Sequence, residues 1–275
     1  MQKIQVILFI SIMPIILMGM YINDKDLDKE PRKLIARIFI YGILSIVPIL
    51  VLETLANKYV STDNFTNYVS LFINAFVSIG LIEEGAKWVI VNKAVYYDKE
   101  FNHPYDAIIY CVFASLGFAL IENLIYVFAT GALLGVLRAV TAIPAHTCNG
   151  VIMGYYLGKA KKEEYNSNDK LSKKYMFYSL LLPIITHTLY DFVILMQNKY
   201  TLVSFIIFTC FLIIIGFVIV EKVSKEILNF DGTLYNSMMS KVISPNSLTF
   251  NYALIRVFLI SVGLIVTSGL IMIHM

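Results

Sequence analysis

Eight long apolar stretches dominate this sequence. A helix needs roughly 20 mostly apolar residues to cross the hydrocarbon of a bilayer. Stretches of about that length fall at 4–22, 34–55, 68–91, 106–128, 133–157, 175–196, 202–220 and 252–273. The first has one lysine ahead of it and no small-residue cleavage site behind it, so it reads as a retained span rather than a signal peptide. Only 15% of the 275 residues are charged, against about 25% in a soluble globular chain. A disordered chain and an ordinary soluble enzyme are therefore excluded. With a net charge of only +3 there is no basic face for nucleic acid. The expected fold is all-α: a polytopic transmembrane bundle of about eight spans. It forms one integral membrane domain, with a catalytic core at about 68–196 and accessory spans at 1–67 and 197–275. Cys111, Cys148 and Cys210 stand singly in apolar surroundings, with neither a disulfide framework nor a zinc knuckle.

Basic residues orient the spans. Fifteen of the 22 lysines and arginines lie in the loops after the first, third, fifth and seventh stretches, and three lie in the remaining loops and ends. Positive loops stay on the cytoplasmic side. The chain is expected in the cell membrane with those four loops cytoplasmic and both termini outside. The start of the long seventh loop, 221–228, reads as a short interfacial helix, and Ser244-Pro245-Asn246 reads as a turn.

Stretches three to six carry ionisable residues that a membrane helix ordinarily avoids: Glu83, Glu84, Lys87, Glu122, Arg138, His146, His187 and Asp191. One charge at the bilayer centre costs about 2.5–3.5 kcal/mol on the insertion scale. Six Asp, Glu, Lys and Arg residues together cost on the order of 15–20 kcal/mol. Four consecutive helices accept this cost while their neighbours largely do not, which marks a functional site. Glu53, Arg37 and Arg256 lie near span ends and read as snorkelling residues. Trp88, Tyr96, Tyr97 and Tyr105 read as an interfacial aromatic belt.

The spacing of these residues places them relative to one another. Glu83 and Lys87 are one turn apart on one helix face, and Glu84 is three residues from Lys87. One lysine cannot neutralise both glutamates, so a carboxylate is left over for chemistry. Phe118 and Glu122 share a face, with Asn123 following. Pro144 precedes His146 and predicts a kink there. Asn149 lies one turn on, and Gly150, Gly154 and Gly158 form a small-residue stripe that invites close helix packing. His187 and Asp191 are one turn apart, so Asp191 can hold the imidazole in one tautomer.

In this order, Glu83-Glu84-x-x-Lys87, Phe118-x-x-x-Glu122-Asn123, His146-x-x-x-Gly150 and His187-x-x-x-Asp191 resemble the motifs of the PrsW family of intramembrane proteases. That family lies in the wider clan of CAAX prenyl endopeptidases and bacteriocin-immunity proteins. The resemblance spans about 68–196. It implies site-one cleavage of a single-pass membrane anti-sigma factor, which begins an envelope-stress response. By resemblance, Glu83 and Glu84 carry the first motif, Glu122 the second, His146 the third, and His187 with Asp191 the fourth. Lys87, Asn123 and Asn149 support them. Glu122 departs from the wider clan, which has histidine at that place.

No G-x-S-x-G motif is present, and Ser78, Ser115 and Cys148 have no histidine partner in the sequence. Water activated by carboxylate and imidazole is the simplest nucleophile. Glu83 or Glu84 serves as base, with Lys87 holding the other. His146 and His187 orient the water or donate to the oxyanion, and Glu122 couples to one of them. A zinc version, with His146, His187 and a carboxylate as ligands, is possible. It is less favoured because H-E-x-x-H is absent. The rival class, an ion- or proton-coupled transporter, calls for repeat symmetry, which the sequence lacks.

Overall fold

The computed structural model describes residues 2–59 and 67–228. The expected eighth span and the Ser244-Pro245-Asn246 turn lie outside the described residues. Ten α-helices follow one another: α1 (Gln2–Lys25), α2 (Arg32–Leu44), α3 (Ile46–Tyr59), α4 (Tyr68–Asn74), α5 (Leu81–Ala94), α6 (Pro104–Thr130), α7 (Ala132–Val140), α8 (Ala142–Tyr165), α9 (Asp169–Leu195) and α10 (Thr201–Leu228). One π-helical turn, Ala75–Gly80, joins α4 to α5. Among the described residues there is no strand, and six segments are long and apolar enough to cross a membrane. The polytopic all-α class therefore holds, while the expected count of about eight is slightly high.

Three of the expected spans are built differently from a plain helix. The second bends at Ser45, whose hydroxyl donates to the Gly42 carbonyl at 2.6 Å. Pro48 sits just beyond and cannot donate back to residue 44. The third contains the π-helical turn immediately before the glutamate pair, a feature that often marks functional sites. The fifth, expected at 133–157, is two helices. Gly131, at φ +99°, ends α6 and opens the short α7. A break at Thr141 then starts α8, which runs on to Tyr165. Pro144 therefore lies in the first turn of α8, where an N–H has no helical partner in any case. The expected kink before His146 is a helix start. The segment 221–228 is likewise the end of α10, not a separate interfacial helix.

The bundle centres on α6, most of whose residues are buried. The glycine stripe of α8 lies against it. A Cβ added at Gly154 would stand 2.5 Å from the Ile108 Cα, and one at Gly158 would stand 2.5 Å from the Pro104 carbonyl oxygen. On another side α2 and α6 cross through reciprocal glycines, Gly42 against the Ala114 carbonyl and Gly117 against the Phe39 carbonyl. Such contacts let backbones approach within van der Waals range, the main source of helix association where lipid replaces water. The largest core runs from Ile15, Tyr21 and Ile38 through Tyr105, Ile108 and Tyr110 to Val220 and Val223. Of the expected aromatic belt only Tyr97 is well exposed; Tyr96 and Tyr105 are buried, and the Trp88 indole donates to Ser179 Oγ at 2.9 Å.

Candidate active site

The polar residues of four expected spans converge at one place in the bundle. From α5, Glu83, Glu84 and Lys87 point inward and are all buried. The π-helical turn sets their direction, and it packs on α9 through Gly80, where an added Cβ would lie 2.6 Å from Thr188 Oγ1. From α6 come Phe118, Glu122 and Asn123, from α8 His146 and Asn149, and from α9 His187 and Asp191.

Lys87 holds both glutamates. Its ammonium is 2.8 Å from Glu84 Oε1 and 3.3 Å from Glu83 Oε2. It also lies 3.3 Å from His146 Nδ1 and over the Phe118 ring at 4.3 Å. An ammonium can only donate, so His146 Nδ1 accepts and Nε2 carries the proton. That Nε2–H faces Glu122 Oε2 at 2.9 Å. The same carboxylate oxygen takes the Arg138 guanidinium at 2.7 Å. Arg138 Nε donates further to Asn123 Oδ1 at 3.2 Å, and the guanidinium stacks 4.0 Å above the Tyr126 ring. Arg138 thus fixes Glu122, which in turn orients His146.

His187 is enclosed by carboxylates. Its Nδ1 is 2.8 Å from Glu84 Oε1, and its Nε2 is 3.2 Å from Asp191 Oδ2 and 3.8 Å from Glu83 Oε2. The two imidazoles meet edge to face, with centroids 5.2 Å apart. Asn149 accepts from the Thr186 hydroxyl at 2.8 Å. Glu83, Glu84, Lys87, Glu122, Asn123, Arg138, His146, His187 and Asp191 are therefore joined in one network, and the Asn149–Thr186 pair stands apart from it.

Beside this network lies a cavity of about 880 Å³, whose wall includes Glu83, Glu122, His146, Asn149, His187 and Asp191. Glu84 is fully buried behind the wall, whereas Glu83 faces the cavity. The cavity is completed by residues outside the 68–196 segment, among them Glu53 and Asn57 of α3 and Phe205 of α10. Sequence reasoning missed one participant and gave another no role. Glu53 looked like a snorkelling residue near a span end, and Arg138 stood in the ionisable cluster without an assigned partner. Both are placed by helix breaks, at Ser45 and Thr141, to which apolar run lengths are blind.

Glu83, Glu84, His146 and His187 each offer a ligand atom, and the four atoms lie within 4.8 Å of one another. Two imidazoles and two carboxylates are a donor set suited to a divalent metal such as zinc. Glu84 Oε2 is buried with no hydrogen-bond partner, so the cluster has acceptor capacity left for a cation. The ligands come from three helices, and for that reason no local histidine pair signals them in the sequence.

Comparison with known proteins agrees with this arrangement. The family model described as PrsW family intramembrane metalloprotease matches residues 30–220. The chain is 39% identical over 197 residues to the protein named Protease PrsW of Oceanobacillus iheyensis, covering 72% of this chain and 86% of that one. It is 32% identical over 237 residues to the Protease PrsW of Clostridioides difficile, covering 84% of this chain and 96% of that one. The Protease PrsW of Bacillus subtilis is 34% identical over 190 residues, 68% of this chain and 82% of that one. No solved structure matches. The match spans every residue of the buried network, and the chain belongs to the PrsW family of intramembrane metalloproteases and is a peptidase.

Proposed function

We propose that this peptidase makes the first cut in a single-pass membrane anti-sigma factor. The reading is supported by one observation above all. Two carboxylates and two imidazoles, from three helices, meet at a cavity inside the bundle, with Glu83, His146 and His187 on its wall and Glu84 just behind. A peptide segment needs such a space to be hydrolysed away from lipid. The substrate class follows from the family resemblance of the four motifs.

In the proposed mechanism Glu83 is the base, because it faces the cavity. It takes a proton from water as the water oxygen attacks the scissile carbonyl, then returns that proton to the departing amide nitrogen. Glu84, held by Lys87 and His187, positions the cluster from behind. Asn149, fixed by Thr186, supplies an amide donor toward the developing oxyanion. Glu84, His146 and His187 would hold a divalent metal, zinc by donor chemistry, with Glu83 left free beside it as the base. When bound, that ion supplies Lewis-acid polarisation of the carbonyl. The cluster and the family's description as metalloproteases favour the metal version over a metal-free one. By the loop charges, the Lys159–Lys174 segment is cytoplasmic and both termini are outside.

The test is co-expression with tagged single-pass anti-sigma factors. Wild type is expected to generate a shortened membrane fragment, and Glu83→Gln at equal abundance is not. A fragment of equal yield from Glu83→Gln would overturn the assignment of the base, and no fragment from any anti-sigma factor would overturn the substrate class.

A further inference from the structure

The cavity wall contains one carboxylate that the catalytic network leaves aside. Glu53 lies in the second half of α3, one turn before Asn57, and both line the cavity. Among the described residues no hydrogen bond or ion pair reaches the Glu53 carboxylate, although the other four carboxylates and both permanent cations of the site are paired. Glu53 is near enough to Glu122, His187, Asp191 and Lys87 to interact with their charges across the space. α3 packs on the π-helical turn, α5 and α6, and Glu53 makes none of those contacts polar.

The charge of the site is out of balance in a way that Glu53 exposes. Glu53, Glu83, Glu84, Glu122 and Asp191 face only Lys87 and Arg138 as permanent cations. Adding a divalent cation, or protonating both histidines instead, still leaves negative charge over. An unpaired carboxylate in a membrane interior is costly until it is protonated or meets a counter-charge. Within the site both permanent cations are committed elsewhere, so a counter-charge for Glu53 would come with something that enters the cavity. One carboxylate flanked by apolar Ile46, Ile49 and Leu50 is too few ligands for a metal ion. It suits a lysine or arginine, whose aliphatic stem passes along the apolar lining while its head reaches the charge.

We infer that Glu53 is a specificity-determining residue that receives a lysine or arginine side chain of the substrate segment lying across the cavity. The inference rests on the cavity being the peptidase's substrate site. Pairing would offset the desolvation of both charges and register the scissile bond against Glu83.

The test uses the purified full chain and a series of single-pass substrates in which one position at a time is Lys, Gln or Glu. At one position Lys is expected to raise kcat/KM over Gln by about tenfold, on the order of 1.4 kcal/mol. Glu53→Gln should bring that ratio close to one, Glu53→Asp should keep part of it, and Glu53→Lys should turn the preference toward Glu. These are ratios within each variant, so a general loss of fold or activity does not imitate them. Wild-type cleavage with no preference for Lys at any position, or a preference that survives Glu53→Gln, would overturn the inference and leave the peptidase reading standing. No cleavage of any member by wild type would overturn both.

Discussion

At the scale of single residues, the site depends on who holds whom. Asp191 meets His187 Nε2 at 3.2 Å, while Glu84 takes Nδ1. If Asp191 only orients the ring, an amide oxygen at that place suffices. Asp191→Asn is then expected to retain most of the cleavage rate, Asp191→Ala to lose more, and His187→Ala to lose about 10²–10⁴-fold. Rates at equal abundance in membranes decide it; equal loss for Asn and Ala would show that Asp191 acts through charge. A second residue-scale expectation concerns stability. Asp26, between α1 and α2, is buried, and burial pushes its pKa up to about 7. Its neutral form is the one the fold favours. The stability it contributes is complete below the ordinary aspartate value of about 3.9 and is lost as pH rises through 7. The thermal midpoint of the solubilised protein should fall between pH 5 and pH 8, and Asp26→Asn should flatten that slope. An unchanged slope in Asp26→Asn would contradict this account.

At the scale of helices, the sequence exposes chemistry more readily than geometry. Glu83, Glu84, Glu122, His146, His187 and Asp191 stand out because charge in an apolar run is expensive, so their presence has to be explained by function. The pairings Arg138–Glu122–His146 and Lys87–His146 are tertiary and leave no local spacing to read. The Gly150-Gly154-Gly158 stripe was legible because a repeat of small residues has one physical use in a membrane helix. The split of the fifth span was not, because 133–157 is apolar throughout and Thr141 gives no strong breaking signal. Two expectations belong here. Gly154→Ala should lower the thermal midpoint, since its Cβ would meet α6 backbone at 2.5 Å and overpacking costs about 1–3 kcal/mol. Gly85→Ala, with nothing within 4 Å, should not. Arg138 ties α7 to α6, so Arg138→Lys should preserve more cleavage than Arg138→Ala, because lysine keeps the charge beside Glu122 but loses the fork to Asn123. Equal activity of the two variants would remove Arg138 from the orienting chain.

For the whole molecule, residues of α3 and α10 line the same cavity that α5, α6, α8 and α9 furnish with chemistry. The proposed orientation of this bundle has its own check. In a background lacking Cys111, Cys148 and Cys210, Asn168→Cys should resist an impermeant thiol reagent in intact cells, and Lys199→Cys should react. The reverse pattern would invert the orientation.

The central claim is that Glu84, His146 and His187 hold the metal of a peptidase whose base is Glu83. The most direct measurement is the metal content of the purified full chain, taken alongside its cleavage rate before and after chelation. The account predicts close to one zinc per chain in wild type, a large loss of metal in His146→Ala and His187→Ala with the fold retained by thermal unfolding, and cleavage that chelation abolishes and zinc restores. Protein that is free of metal and still cleaves at full rate in chelator would contradict it.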